Sequence, residues 1–127
     1  MKVNRWLADR VPTYLWEFND DTAPFRYGAP LTPPVATHGS ELGYLFDLPS
    51  APVQDPLNSD QEKLADTMRT AWAKFAATGT PSTKALAWPK AGTNSRVMSL
   101  ETPQSRLSTD FTQRHHVAFW LAFGPAV

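Results

Sequence analysis

The chain is organised around residues 37–46, which read Thr-His-Gly-Ser-Glu-Leu-Gly-Tyr-Leu-Phe. A proline-rich stretch leads to His38, Gly39 frees the backbone beside it, and Glu41 follows within a short apolar and aromatic turn. Histidine titrates closer to neutral pH than any other unperturbed side chain, which suits it to proton transfer. A lone histidine is nevertheless more often a structural residue, so the local pattern leaves both interpretations of His38 open.

Composition excludes several classes of function. The chain has 127 residues and equal numbers of basic and acidic side chains, 12 of each. It therefore lacks the basic excess of proteins that bind nucleic acids or anionic membranes. No apolar run approaches the roughly 20 residues of a membrane-spanning helix, and residues 1–10 lack the apolar stretch of a secretory signal. We expect no nucleic-acid partner and no membrane span. The compartment stays unassigned, with the cytoplasm as the default.

The residue types present also limit the chemistry. With zero cysteines, the chain has no disulfide framework, no cysteine nucleophile and no cysteine-ligated metal. His115 and His116 are adjacent, and on a helix adjacent side chains point about 100° apart, so flanking a helix face is favoured over metal binding. Neither a Gly-rich phosphate loop nor a Gly-x-Ser-x-Gly motif is present. The residues alone offer a candidate base, no nucleophile, and no cofactor or metal site.

The sequence before the histidine predicts a strand and a long loop. Residues 11–18 are typical of a strand, because aromatic side chains alternate with other residues along them. Leu15, in the second phase of this alternation, indicates that both faces of the strand are covered. Asp20 and Asp21 are interpreted as solvated turn residues. Residues 22–37, with four prolines, predict a packed loop that delivers the histidine.

The sequence after the histidine predicts a helical turn over residues 41–46, one long helix and a hairpin. Ser59 begins a capping-box pattern that predicts a helix over residues 60–78, stopped by Gly79. A stripe at helical spacing is expected to face the core, formed by Leu64, Met68, Ala71, Trp72 and Phe75. Residues 96–100 and 104–107 predict two antiparallel strands.

The last element predicted is a helix over residues 111–123. Its start is marked by Ser108-Thr109-Asp110 and its end by Gly124-Pro125. Its buried face is expected to contain Phe111, Ala118, Phe119 and Ala122, with Trp120 and Leu121 widening it. Before this helix, Trp88 is expected to be a buried anchor.

These landmarks resemble the C-terminal quarter of type B carboxylesterases, the serine-hydrolase family that includes the cholinesterases. The matching segments, in chain order, are residues 14–18, 38–46, 68–81 and 88–89, and an aromatic C-terminal helix containing Phe119-Trp120. They cover most of the chain in collinear order. The His-Gly-x-Glu-Leu and Trp-x-x-Phe-Ala-x-x-Gly-x-Pro motifs together form a specific signal.

The resemblance implies an α/β class and the C-terminal part of an α/β-hydrolase fold. Its parts are one or a few sheet strands, a catalytic-histidine loop, a long packing helix, a short β-hairpin and a C-terminal helix. Residues 1–127 as a whole correspond to the C-terminal portion of a carboxylesterase type B domain. The histidine of the family's His-Gly motif is the base of a Ser-His-acid triad, a role that falls here on His38. Gly39 and Glu41 then support the loop, and Glu41 is not the triad acid.

In the family, the serine, the acid and the oxyanion loop lie upstream of the matching region. We therefore expect a C-terminal fragment of a carboxylic-ester hydrolase that carries the triad histidine and is inactive alone. The implied partners are a small carboxylic ester and the missing N-terminal part of the hydrolase. The alternative is a non-enzymatic remnant or interaction module that uses exposed sheet and helix surface.

Overall fold

The chain combines helices with short strands. The computed structural model describes residues 2–24, 33–47, 55–92 and 96–123. Within these ranges the elements are α1 (Lys2–Ala8), β1 (Leu15–Phe18), α2 (Leu42–Leu45), α3 (Ser59–Thr78), β2 (Val97–Leu100), β3 (Arg106–Leu107), α4 (Phe111–Arg114) and α5 (Val117–Phe123). The predicted α/β class is confirmed by this order.

The three strands form one mixed sheet in the order β1-β2-β3. β1 and β2 run parallel, with Leu15 opposite Val97, so the sheet joins residues far apart in the chain. β2 and β3 run antiparallel, with Met98 opposite Leu107, which confirms the predicted hairpin. β2 is the central strand, and all four of its residues are buried, so both of its faces are covered.

Helices lie on both faces of β1, as the phase of Leu15 indicated. On one face, Trp16 packs edge-on against Trp72 of α3, with ring centroids 5.2 Å apart. On the other face, the carboxylate of Glu17 accepts a hydrogen bond from Arg114 of α4 at 2.7 Å. A parallel strand covered on both sides is the usual arrangement in α/β proteins.

The core lies between the sheet and α3. Its buried apolar residues are Tyr44, Leu64, Ala65, Met68, Ala71, Leu86, Trp88, Met98 and Leu100. The predicted stripe of α3 is confirmed at Leu64, Met68 and Ala71, and Trp72 packs against this cluster. The prediction is wrong for Phe75, which is 48% exposed because it lies at the rim of a pocket beside Tyr14. Trp88 is 3% exposed, as expected of an anchor.

The long helix α3 begins one residue earlier than predicted. Asn58, rather than Ser59, is its N-cap, because the Asn58 Oδ1 accepts hydrogen bonds from the backbone N–H groups of Asp60 and Gln61, both at 3.0 Å. The Gln61 side chain returns the contact by accepting from the Asn58 N–H at 2.9 Å, which completes a capping box. The predicted stop is confirmed, since Gly79 has φ 72°, a left-handed conformation suited to glycine.

The C-terminal part differs from the single helix predicted over residues 111–123. Two short helices, α4 and α5, replace it. The helix is interrupted between them because His116 adopts a left-handed conformation (φ 47°). The predicted buried face is also wrong. No residue of α5 is buried, and Phe119 and Trp120 are 53% and 67% exposed, since these rings pack on each other within the helix.

Several predictions fall wholly or partly outside the described residues. The loop over residues 22–37 is described only at residues 22–24 and 33–37. The predicted helix end at Gly124-Pro125 lies outside the described ranges.

Candidate functional site

His38 lies in a run of tight turns between the sheet and α2. The side chain is exposed, and the next residue, Gly39, is buried with φ 82°. A side chain at this left-handed position would strain the backbone, so glycine is the residue that the turn requires. The imidazole of His38 is therefore exposed, whereas the residue that follows it is buried.

Ser40 stabilises the turn and does not act as a free hydroxyl. It is 2% exposed. Its Oγ donates a hydrogen bond to the Thr37 carbonyl at 2.7 Å, and its backbone N–H donates to the same oxygen at 3.1 Å. The Leu42 N–H then donates to the Gly39 carbonyl at 3.0 Å, which leads the chain into α2.

Glu41 is half-buried at the start of α2, and its side chain makes no capping hydrogen bond. The predicted site residues His38, Gly39 and Glu41 therefore share one loop. No hydrogen bond joins the side chains of His38 and Glu41 among the residues that the structure describes. Their predicted roles in the chemistry stay predictions.

Tyr44, on α2, anchors this loop to the sheet. It is fully buried, and its ring packs edge-on against Phe18 of β1, with centroids 4.9 Å apart. The hydroxyl donates a hydrogen bond to the Asp20 Oδ2 at 2.5 Å. The Tyr44 carbonyl accepts from the Arg69 guanidinium of α3 at 3.0 Å. One residue thus ties the histidine loop to both the strand and the long helix.

Asp20 is buried, which corrects its interpretation as a solvated turn residue. Only 2% of its surface is exposed, because β1 ends beneath the histidine loop. Its Oδ1 accepts hydrogen bonds from the Thr22 N–H at 3.0 Å and the Thr22 Oγ at 2.7 Å. Burial alone raises the pKa of Asp20, but the hydrogen bonds from Tyr44 and Thr22 outweigh it and hold that pKa below its ordinary value.

The same contact acts on Tyr44 in the opposite direction. Burial raises the pKa of the Tyr44 hydroxyl, and the hydrogen bond to the Asp20 carboxylate and its negative charge raise it further. The hydroxyl therefore stays protonated and the carboxylate stays charged over the neutral range. A charged acceptor and a neutral donor give a strong hydrogen bond in a buried place.

Asp21 holds the chain on the other side of the histidine. Its side chain is exposed, as predicted, but its Oδ1 accepts a hydrogen bond from the Ala36 N–H at 3.1 Å. No local pattern indicates these two contacts, and the position of the carboxylates relative to the strand is the one feature that could have drawn attention to them. The two carboxylates come after the predicted strand and Asn19, at the edge where open α/β sheets carry their functional loops.

His115 and His116 do not lie on a common helix, which corrects the geometry assumed for them. They fall between α4 and α5. The His115 Nε2 contacts a carboxylate oxygen of Glu17, and Arg114 pairs with the other oxygen of that carboxylate at 2.7 Å. These contacts of Arg114 and His115 with Glu17 attach α4 to β1 on the face of the sheet opposite α3.

An aromatic pocket of about 170 Å³ lies between β1 and α3. Its walls include Trp16, Trp72 and Trp88, and Tyr14 and Phe75 complete one side. His38 is not among its lining residues, so this pocket and the histidine loop are separate features of the surface.

Comparison of the sequence with known proteins identifies the family. The sequence model of the carboxylesterase family matches residues 2–120. The chain is 32% identical over 111 residues to carboxylesterase 4A of Bos taurus, a match that covers 86% of this chain and 19% of that protein. A stretch of 65 residues is 31% identical to the dipeptide-binding protein of Escherichia coli (strain K12), covering 50% of this chain and 12% of that protein.

Solved structures show the same fold. A thermophilic PNB esterase superposes with a TM-score of 0.68 at 20% identity, over 90% of this chain and 23% of that chain. A carboxylesterase of Geobacillus stearothermophilus gives a TM-score of 0.57 at 25% identity, over 83% of this chain and 21% of that chain. The described elements are thus part of an α/β-hydrolase fold.

The chain belongs to the carboxylesterase family, because the family match extends over nearly all of it. The expected resemblance is thereby confirmed. The chain spans 12% to 19% of the length of the two curated relatives that it matches. Within the described residues, the structure contains no helix that is both long and apolar enough for a membrane span.

Proposed function

We propose that this chain is the base-carrying, C-terminal portion of a carboxylic-ester hydrolase and that His38 is its triad histidine. The observation that carries the proposal is the loop itself. It presents an exposed imidazole from a backbone fixed by Gly39, Ser40 and Tyr44, in a chain of the carboxylesterase family.

In this role His38 takes the proton from a serine hydroxyl as that oxygen attacks the ester carbonyl. It then donates the proton to the leaving alkoxide, and the same cycle releases the acyl group to water. The serine comes from a complementary part of the hydrolase, because the chain has no Gly-x-Ser-x-Gly motif. In this proposal the same part supplies the triad acid and the oxyanion donors. The substrate class is a small carboxylic ester.

Gly39 and Glu41 support the histidine in this proposal without touching the reacting atoms. The left-handed conformation of Gly39 turns the backbone directly after His38. The half-buried Glu41 is the residue directly before α2, and we assign it support of the loop from this position.

A chimera tests the proposal. The chain replaces the matching segment of the Geobacillus stearothermophilus carboxylesterase, and hydrolysis of 4-nitrophenyl acetate is measured for the chimera and for the chain alone. We expect turnover by the chimera, none above buffer by the chain alone, and a loss on the order of 10⁴-fold or more in kcat on His38→Ala. His116→Ala is the matched control, because His116 is exposed and lies between α4 and α5. A chimera whose activity survives His38→Ala contradicts the proposal.

The second candidate is an interaction module without ester turnover. The observation that favours it is the aromatic pocket between β1 and α3, where Trp16 is 41% and Phe75 48% exposed. In this case the chain forms a stable complex or dimer through these rings, Trp16→Ser weakens that association, and no complementation yields hydrolysis.

A further inference from the structure

We propose that Asp20 and Asp21 are positioning residues that brace the histidine loop from both sides. The two aspartates are adjacent shortly after the end of β1. Asp21 accepts from a backbone N–H before His38, and Asp20 accepts from the side-chain hydroxyl of Tyr44 after it. This inference rests on the proposed function for its role in catalysis, whereas the brace itself is a property of the chain.

The first arm of the brace follows the histidine. The Asp20 Oδ2 accepts from the Tyr44 hydroxyl at 2.5 Å, and both residues are almost fully buried, at 2% and 0% exposure. A hydrogen bond to a charged group in a buried place is stronger than one between neutral groups. Tyr44 in turn fixes α2, which begins directly after the turn that contains His38.

The second arm precedes the histidine. The Asp21 Oδ1 accepts from the Ala36 N–H at 3.1 Å. Ala36 is two residues before His38, so this contact fixes the point at which the chain enters the turn. Two adjacent side chains therefore restrain the same loop at its entrance and at its exit.

Asp20 is also connected, through Thr22, to the long helix α3. Thr22 donates to Asp20 through its N–H and its hydroxyl. The Gln61 Nε2, in the first turn of α3, donates to the Thr22 carbonyl at 3.0 Å. Gln61 is also the residue that completes the capping box with Asn58. Through these contacts, the two aspartates connect the turn that contains His38 to both β1 and α3.

The function of the brace follows from what a base requires. Proton transfer depends on a reproducible distance between the imidazole and the hydroxyl that it deprotonates, and a displacement of about 1 Å lowers the rate about 100-fold. An exposed histidine on an unrestrained loop does not meet that requirement. We infer that the brace supplies the restraint and that its loss lowers kcat while KM is unchanged.

The test uses the complete 127-residue chain in solution. Asp21→Ala removes the entrance contact, and Asp21→Asn restores an acceptor oxygen there. Tyr44→Phe removes the exit contact and keeps the ring that packs on Phe18. The controls are Asp47→Ala and Tyr14→Phe, because Asp47 is exposed next to α2 and Tyr14 packs at the other end of β1.

Two NMR measurements report on the brace. Hydrogen exchange is followed at the amides of Ser40 and Leu42, which are bonded within the turn, and the Hε1 resonance of His38 reports on the imidazole. We expect exchange about tenfold faster in Asp21→Ala and in Tyr44→Phe, with a displaced His38 resonance, because each variant removes a hydrogen bond to a charged group. Asp21→Asn is expected to restore most of the protection.

Exchange within twofold of the wild type in Asp21→Ala overturns the brace, and this variant changes an exposed residue and so keeps the fold. The chimera separates the two proposals. A fall in kcat without a change in KM on Asp21→Ala supports the positioning role. An active chimera with unchanged kcat overturns that role alone, and a chimera without any turnover overturns the proposed function while the exchange data still decide the brace.

Discussion

At the scale of single residues, the charge state of the buried Asp20 carboxylate depends on the groups that donate hydrogen bonds to it. Asp20 is as buried as the core leucines, yet it stays charged because Tyr44 and Thr22 donate to it. The lowered pKa of Asp20 has a direct consequence for stability, since any pKa that differs between the folded and unfolded states makes the free energy of unfolding depend on pH.

The direction in which stability changes with pH follows from the direction in which folding shifts the pKa of Asp20. The folded pKa of Asp20 lies below its ordinary value of 3.8, so its contribution to stability is present above that pH and is lost as the pH falls through the folded pKa. In Tyr44→Phe the hydrogen bond from the Tyr44 hydroxyl is missing, so the pKa of Asp20 in the folded chain rises from its lowered value. We expect this variant to be less stable than the wild type at pH 7, and the difference between their urea midpoints to narrow as the pH falls below the ordinary value of 3.8, because the wild type then loses a contribution that the variant already lacks. Midpoints measured from pH 7 downward check this, with Tyr14→Phe as the control. Parallel profiles for Tyr44→Phe and the wild type contradict it.

The residues of the loop differ in how far the sequence predicted them. His38, Gly39 and Glu41 stand in a motif, so their common loop could be predicted from order alone. Asp20 and Asp21 look like ordinary turn formers, because nothing local tells that a tyrosine far along the chain lies above one of them. Burial of a polar residue depends on tertiary contacts, which the local pattern does not contain.

At the scale of elements, the start of α3 allows a sharp test. Asn58 accepts two backbone N–H groups, whereas Ser59 is the first residue of the helix. We expect Asn58→Ala to lower the free energy of unfolding by about 1 kcal/mol and Ser59→Ala to change it by much less, because only the N-cap side chain satisfies free amide groups. Denaturation by urea measures both. Equal losses for the two variants, or a larger loss for Ser59→Ala, contradict this assignment of the cap.

The helices also show where sequence patterns suffice. α3 has a long apolar stripe, a cap and a glycine stop, and these local signals agree with one another, so its existence and length could be predicted. The C-terminal segment has apolar residues on every side, which gives no preferred face. Its interruption at His116 depends on a backbone conformation that histidine seldom adopts, and no pattern in the sequence indicates it.

At the scale of the whole molecule, the central strand β2 contributes fully buried side chains to the core. Met98 is 1% exposed and lies opposite Leu107, which is 40% exposed on the edge strand β3. We expect Met98→Ala to lower the free energy of unfolding by about 2–5 kcal/mol, because it leaves a cavity, and Leu107→Ala to lower it by about 1 kcal/mol or less.

Thermal and urea unfolding of the two variants measure this difference. Because single domains have only about 5–15 kcal/mol of stability in total, Met98→Ala is also expected to lower the melting temperature by many degrees. Similar losses of unfolding free energy in Met98→Ala and Leu107→Ala contradict the assignment of β2 to the core and of β3 to the exposed edge.

The family could be recognised from collinear motifs, whereas the pairing of β1 with β2 could not be derived from local patterns. Both strands are four residues long, and neither carries a signal that names its partner. Backbone hydrogen bonds carry no information about which sequence lies opposite, so pairing is decided by how the side chains of the two strands pack against the rest of the fold.

The parallel register of Leu15 with Val97 has a further consequence for how the chain acquires its structure. During synthesis β1 emerges before β2, and the two cannot pair until β2 has been made, since a parallel pair cannot close through a hairpin. Closing so long a loop is entropically slow, whereas α3 can form as soon as its own residues are free. The helix is therefore ready before the sheet, and the two aspartates reach their final contacts only after α2 and α3 are available to cover the end of β1.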